Sequence, residues 1–377
     1  MKKRIIALVL TVLTALSLVG CGGEEFKTGT ITEGLCYELT GISPDTVAVK
    51  VDGKEIPMDI DFYWLNYSAS AVEEIMNYYL GGLDWAYELE DGRSSAELAK
   101  EDALSTVTRF AVMENLAAAN NVMLGEAEIA ELARLREEYV TACGSEEAYL
   151  AQIASLGLRE ESYDLLCAAD FRYIALEDLS NTEGSALYPT QEKLEALAKD
   201  SYVTADHLLL LTTDMATGEA LDEETVAQKK AMAEDLLAQL SAIEAGELEA
   251  AFTAMADQYS EDTGRQLNPT GYTFTTGEMV APFEEAAFAL QPGELSGIVE
   301  TSYGYHILLK KELDVEAACE LVRDEYFLNM EQELAAAAKV EINPALESLD
   351  LPAVYEEFKA AQAAAQGAAG ETESAEP

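Results

Sequence analysis

An α+β fold is predicted, with a compact mixed segment standing between two helical ones. Three features of the sequence lead to it. Between an N-terminal hairpin and residue 180, apolar residues recur at helical spacing and no strand pattern interrupts them. From 203 to 311 the pattern changes to a strand-like run, two amphipathic helices, a glycine-rich irregular stretch, a short helix and a last strand-like run. After 312 the helical spacing returns. This order fits a mixed domain inserted into a helical one, with the final helix packing back on the first part, and it also fits three units in a row. At 377 residues, 49% of them hydrophobic, the chain is long enough for two domains with separate cores.

The chain opens MKKRIIALVLTVLTALSLVGCGG: Lys2, Lys3 and Arg4, an apolar run from Ile5 to Val19, then small residues around Cys21. The run falls short of the roughly 20 residues that a membrane-spanning helix needs, so residues 1–20 read as a cleaved export signal. LVGC, Leu18 to Cys21, resembles the bacterial lipobox, whose cysteine is diacylated and becomes the mature N-terminus. Cys21 is therefore the expected lipidation site, and lipid rather than charge is the expected membrane anchor. Residues 21–45 are expected to form a tether.

Val47, Val49 and Val51 alternate with small or polar residues before Asp52-Gly53, which reads as a hairpin within a mainly helical region, 46–200. In SAELAKEDALSTVTRFAVMENLAAANN, residues Leu98, Ala103, Leu104, Val107, Phe110, Ala111 and Leu116 fall near helical spacing, and Asn120-Asn121 ends the helix. GEAEIAELARLREEYVTACG, SEEAYLAQIASLG and REESYDLLCAADFRYIALEDLS are three more helices, separated by glycine or capping residues. NTEGSALYPT, 181–190, breaks the composition and reads as a linker. One further helix, QEKLEALAKD, leads into VTADHLLLLTT, where His207 enters a run of leucines. DEETVAQKKAMAEDLLAQL and ELEAAFTAMADQYS are the amphipathic pair. TSYGYHILLKK then holds His306, the other of the chain's two histidines. DVEAACELVRDEYFLNMEQELAAAAKVEI is predicted to be helix, and the low-complexity residues 359–377 are expected to be disordered.

Composition narrows the function classes. Acidic side chains number 71 against 23 basic ones, a formal charge of −48, so the surface repels nucleic acid and bare anionic membrane while steering cations or basic polypeptides toward itself. No nucleic-acid partner is expected. Cys36, Cys143, Cys167 and Cys319 show no CxxC or Cys/His metal spacing, and neither histidine has an HExxH setting, so no metal is expected. No Gly-rich phosphate loop and no GxSxG setting is present, and no cofactor is expected. An exported location permits a disulfide, with Cys143 and Cys167 the pair nearest in sequence within the helices; free buried thiols are the equal alternative.

Within 203–311 four blocks resemble, in order, the parvulin-type peptidyl-prolyl isomerases. ADHLLL is similar to the first-strand motif, FTAMADQYSEDTG to the helix end before the catalytic acid or cysteine, TTGEMVAPFEEAAFAL to the proline-pocket segment, and LQPGELSGIVETSYGYHILLKK to the closing turn and strand. The resemblance implies a small antiparallel sheet surrounded by helices. It implies that His207 and His306 are the paired central histidines, and that Asp262 holds the position of a cysteine or aspartate near the substrate carbonyl. Met279 and Phe283 match apolar residues that grip the proline ring, Thr301 matches a hydroxyl near the histidines, and Tyr303 stands on the substrate side where a serine is frequent. Phe288 is expected in the core beneath the pocket. In place of the GGDLG frequent in that family this chain has LNPTGYTF, Leu267 to Phe274, so the usual pocket leucine is missing or displaced.

The chemistry such residues serve needs no covalent step. Rotation about a peptide bond faces about 18–20 kcal/mol from resonance, and an X-Pro bond exchanges unaided over roughly tens to hundreds of seconds. A catalyst need only favour the twisted amide.

VAVKVDGKEIPMDIDFYW and the helices after it are similar to the opening of the chaperone domain in PrsA- and SurA-type proteins. AKVEINPALESLD with the helix before it resembles the C-terminal segment that completes that domain, so 312–350 is expected to pack on 46–200. Together the resemblances imply a lipid-anchored foldase on the outer face of the bacterial cytoplasmic membrane. It would isomerise X-Pro bonds in unfolded or partly folded secreted polypeptides; homodimer formation is left open. The alternative is a holdase with the same fold and little or no isomerase activity. A solute-binding lipoprotein would share the lipobox, but the long α/β pattern of two lobes is absent.

Overall fold

The computed structural model describes residues 26–373, with side chains described to 365. The expected export signal, Cys21 and the last four residues lie outside the described residues. The chain divides into two compact units. One is assembled from both ends, up to Tyr188 and from Phe327 onward; the other is the continuous stretch Pro189–Tyr326.

In chain order, the two-ended unit begins with α1 (Leu35–Thr40), β1 (Val47–Val51), β2 (Lys54–Pro57) and α2 (Met58–Leu80). It continues with α3 (Ser95–Ala119), α4 (Glu126–Cys143), α5 (Glu146–Ser155) and α6 (Glu160–Asn181). The continuous unit holds α7 (Gln191–Ser201), β3 (Val203–Leu211), α8 (Glu223–Ser241), α9 (Ala245–Tyr259), β4 (Tyr272–Phe274), α10 (Ala281–Ala289), β5 (Val299–Glu300) and β6 (Gly304–Lys311). Then α11 (Val315–Ala337), β7 (Val340–Ile342) and α12 (Leu351–Glu373) complete the chain.

The hairpin forms where expected, because Asp52 and Gly53 both take positive φ, 48° and 81°, the conformation that a two-residue turn matched to strand twist requires. α3 starts at a reciprocal cap in which the Ser94 hydroxyl accepts from the Glu97 N–H and the Glu97 carboxylate accepts from the Ser94 N–H. β1 is the centre of a three-stranded antiparallel sheet, β2-β1-β7. Val49, Val51, Ile56, Phe62, Val107 and Leu176 are among the side chains buried in this unit's core.

Three expectations are corrected here. The tether does not extend to residue 45, since α1 buries Cys36 in the core and Asp45 accepts from the N–H groups of Thr30 and Ile31. Spaced apolar residues Cys36, Leu39 and Ile42 supply the face that packs. The helix predicted through Ile342 stops at Ala337; β-branched Val340 and Ile342 find a partner in β1 and form a strand instead. The tail expected to be disordered from 359 is helical to Glu373, in keeping with the high helix propensity of its alanines.

The continuous unit is built on a four-stranded antiparallel sheet, β4-β3-β6-β5. Its central strands are buried on both faces, which is why the leucine-rich parts of their sequences show no apolar–polar alternation. On one face Leu208, Leu210, Tyr305 and Ile307 pack with Leu236, Leu240 and Phe252 of α8 and α9. On the other face Ala205 and Leu308 pack with Phe283 and Ala287 of α10. The four cysteines among the described residues are free thiols. Among the described residues no helix is long and apolar enough to cross a membrane.

Candidate active site

Strand register brings the two histidines together. In the antiparallel β3/β6 pair His207 lies opposite Leu308 and Leu209 opposite His306, so both imidazoles stand on the α10 face as diagonal neighbours. Their ring centroids are 5.3 Å apart at an interplanar angle of 73°. Phe283, reaching down from α10, packs edge-on against both, with centroids 5.1 Å from His207 and 5.4 Å from His306. Met279 is partly buried in the same apolar cluster as Phe283.

Asp262 arrives by a different route. β4 pairs only with Val203 to Ala205, which leaves the same edge of β3 unpaired further along. The segment after α9 fills that edge: the Glu261 N–H donates to the Leu209 carbonyl at 2.8 Å, the Leu209 N–H to Ser260 Oγ at 3.1 Å, and the Leu211 N–H to Glu261 Oε2 at 2.8 Å. Backbone groups on that edge are thereby satisfied, and the chain is carried past His207. Asp262 then caps a 3-10 turn, Thr263–Gln266, through a bond from the Gly264 N–H to Oδ1 at 2.9 Å. Its other oxygen accepts from His207 Nε2 at 3.1 Å and from the Tyr272 hydroxyl at 2.7 Å.

These donors hold the Asp262 carboxyl well below the usual carboxylate range, the His207 bond first and the Tyr272 and Gly264 bonds after it, against the opposing effect of burial. An ionised carboxylate only accepts, so the proton of that bond sits on His207 Nε2. His306 is held differently. Its Nε2 shares a 2.8 Å hydrogen bond with Thr301 Oγ1, which also accepts from the Tyr303 N–H at 3.1 Å. Burial, with the neighbouring His207 second, pushes the His306 imidazole down to about 3, so it is neutral at ordinary pH. Both Nδ1 atoms are buried without a hydrogen-bond partner among the described residues, so each ring is held through Nε2 alone.

Four of the residues expected from the sequence, His207, Asp262, Thr301 and His306, are joined in two hydrogen-bonded pairs, and Phe283 and Met279 lie in the apolar cover. Tyr303 sits in the turn between β5 and β6, 41% exposed, and reaches the cluster through its backbone N–H. Phe288 is a correction: it is 37% exposed, packed edge-on against Phe274 rather than buried beneath the site, because α10 turns that position toward solvent.

The sequence reading missed three supports. Tyr272 bonds Asp262 and lies 5.5 Å from His207 ring to ring, while burial and then the Asp262 bond push its phenol up to about 12. It reaches the site because Gly271, at φ 101°, lets β4 come so close that a Cβ there would stand 2.7 Å from the Ala205 carbonyl. Arg265, nearly buried, donates to Asp206 Oδ1 at 2.5 Å and to Asp257 at 2.9 Å, tying the turn after Asp262 to the residue before His207. Ser260 is the third. The signal for Tyr272 was in LNPTGYTF, a glycine followed by alternating Tyr272 and Phe274.

Residues 207–312 match the family described as Rotamase: PPIC-type PPIASE domain. Foldase protein PrsA 3 of Bacillus anthracis is 50% identical over 66 residues, 16% of this chain, and the match spans 23% of that protein's length. Foldase protein PrsA of Caldanaerobacter subterraneus is 24% identical over 337 residues, covering 87% of this chain and 90% of that protein. Peptidyl-prolyl cis-trans isomerase pin1 of Rhizopus delemar is 37% identical over 110 residues, 29% of this chain and 71% of that protein. With two thirds of that isomerase covered at this identity, and the paired histidines, aspartate and apolar cover in one cluster, the chain belongs to the PPIC-type, or parvulin, peptidyl-prolyl cis-trans isomerase family.

Proposed function

We propose that this chain is a foldase that accelerates cis–trans isomerisation of X-Pro bonds in exported, incompletely folded polypeptides, and that a lipid on Cys21 tethers it outside the cytoplasmic membrane. The observation that carries the isomerase reading is the arrangement on the α10 face of β3 and β6, where neutral His306 and the Asp262-bound His207 stand side by side under Phe283.

The groups present suit a reaction without a covalent intermediate. Phe283 and Met279 supply an apolar wall against which a proline ring can be held dry while the carbonyl side turns. Each tenfold gain requires about 1.4 kcal/mol of preference for the twisted amide over the planar one. Asp262 is surrounded by three hydrogen-bond donors, which supports an orienting role, fixing the His207 tautomer, over direct repulsion of the substrate carbonyl. The lipid anchor rests on Lys2, Lys3, Arg4, the apolar run and LVGC alone. Mass spectrometry of the native mature N-terminus tests it, and an unmodified Met1 would rule it out.

The isomerase is tested by the cis-to-trans rate of a set of Xaa-Pro peptides with the full chain, beside His207→Ala and His306→Ala variants checked for folding. Acceleration that both variants lose is the expected result. No acceleration by the folded chain on any peptide would replace this reading with a holdase of the same fold.

A further inference from the structure

Away from the histidine cluster, the two-ended unit contains a pocket of about 220 Å³ walled by Val49, Leu65, Leu104, Ile342, Leu346 and Leu349. Four charged side chains, Asp61, Lys100, Glu101 and Glu347, also line it. Asp61, on the first turns of α2, lines the pocket at 8% exposure, and no hydrogen bond or ion pair reaches its carboxyl among the described residues. A buried carboxyl is costly unless paired, so it stands out as a group awaiting a partner.

The other charged groups around the pocket define that partner. Lys100 of α3 lines it, but its ammonium donates to the Leu349 carbonyl at 2.9 Å and makes no ion pair with Asp61. Glu101 of the same helix and Glu347, in the turn after β7, add negative charge to the lining. Burial first, and the neighbouring Asp59 charge after it, push the Cys36 thiol of α1 up to about 12, with Asp61 a smaller cause, so it adds no charge of its own. An anionic ligand would be repelled, by these groups and by the chain's net −48. A neutral donor would gain less than a cation, which adds the attraction of opposite charges to its hydrogen bond with a carboxylate.

We propose that this pocket receives the lysine side chain of a bound polypeptide, its ammonium meeting Asp61 and its four-carbon stem lying along Leu65, Leu104, Ile342 and Leu346. A lysine suits such a site because its stem buries readily while its compact ammonium pairs at the tip. That the amine arrives on a polypeptide rests on the foldase reading; the chemistry of the pocket does not.

The test titrates the full chain with Nα-acetyl-lysine N-methylamide and with its norleucine counterpart, which lacks the ammonium, following the methyl resonances of Leu65, Leu104 and Leu346. Saturable shifts are expected with the lysine compound, binding of the norleucine compound at least about tenfold weaker, and loss of that preference in Asp61→Asn. Equal binding of the two compounds, a preference that survives in Asp61→Asn, or no saturable shift at these methyls would overturn the assignment. The two-compound comparison on the unmutated chain requires no variant to fold. Turnover on proline peptides, measured on the same samples, keeps the two readings apart: its absence with the lysine preference intact would count against the isomerase alone.

Discussion

Asp61→Asn should remove a pH dependence of stability confined to the two-ended unit. Burial raises the Asp61 carboxyl from 3.8 to about 7. Because the folded value lies above the unfolded one, the folded unit keeps a proton that the unfolded chain has already released. Stability therefore falls as pH climbs from about 4 to about 7 and levels off above that. At 1.36 kcal/mol for each pH unit, a rise of this size corresponds to about 4 kcal/mol, taken as an order of magnitude. Asparagine has nearly the same shape and cannot ionise. Its advantage over the wild type should be small near pH 4 and approach that figure near pH 8. The chain's two tryptophans, Trp64 and Trp85, both lie in this unit, so urea unfolding followed by tryptophan fluorescence reports on it selectively. A wild-type-minus-variant difference that is flat from pH 4 to 8 would show that Asp61 binds its proton equally in the folded and unfolded chain.

Three further outcomes are expected at the histidine cluster. Tyr272→Phe removes one of the donors to the Asp262 carboxylate, a charged hydrogen bond worth about 1.5–3 kcal/mol; the carboxyl should titrate at higher pH in a carbon-detected NMR series and turnover should fall about tenfold, and an unmoved Asp262 titration would contradict the geometry. His306 should show no proton titration by NMR between pH 5 and 8, since its ring stays neutral down to about 3; a midpoint in that window would show the site to be wetter than described. In Gly304→Ala the new Cβ would clash with the Leu210 carbonyl at φ 155°, so the continuous unit should lose about 1–3 kcal/mol in thermal unfolding, and unchanged stability would mean that the start of β6 relaxes freely.

How much of this was legible in the sequence depends on what each residue competes with. Two histidines in 377 residues, each in an apolar run, were conspicuous by scarcity. What the runs concealed was direction: strands buried on both faces lose their alternation, so only the observed register shows that His207 and His306 share a face. Asp262 and Asp61 were each one of 71 acidic residues, and only a family motif marked the first. Nothing local marks Asp61, most of whose pocket comes from Val49, α3 and residues 342–349. Tyr272 was overlooked because its segment was read for a leucine it lacks. Val340 and Ile342 were read as helix because the strand partner that claims them is β1.

That partnership bears on the order in which the protein can be completed. Asn343 donates its side-chain amide to the Val47 carbonyl across 296 positions, and β7 forms the sheet edge next to β1. A chain emerging amino end first presents β1 and β2 long before the strand that flanks them exists, with one edge of β1 unpaired and open to other strands. The stretch from Pro189 to Tyr326 carries its whole sheet within itself and can close as soon as it has emerged. The two-ended unit must finish last, and a chain cut short before Val340 would leave it with an open edge while the isomerase fold stood complete.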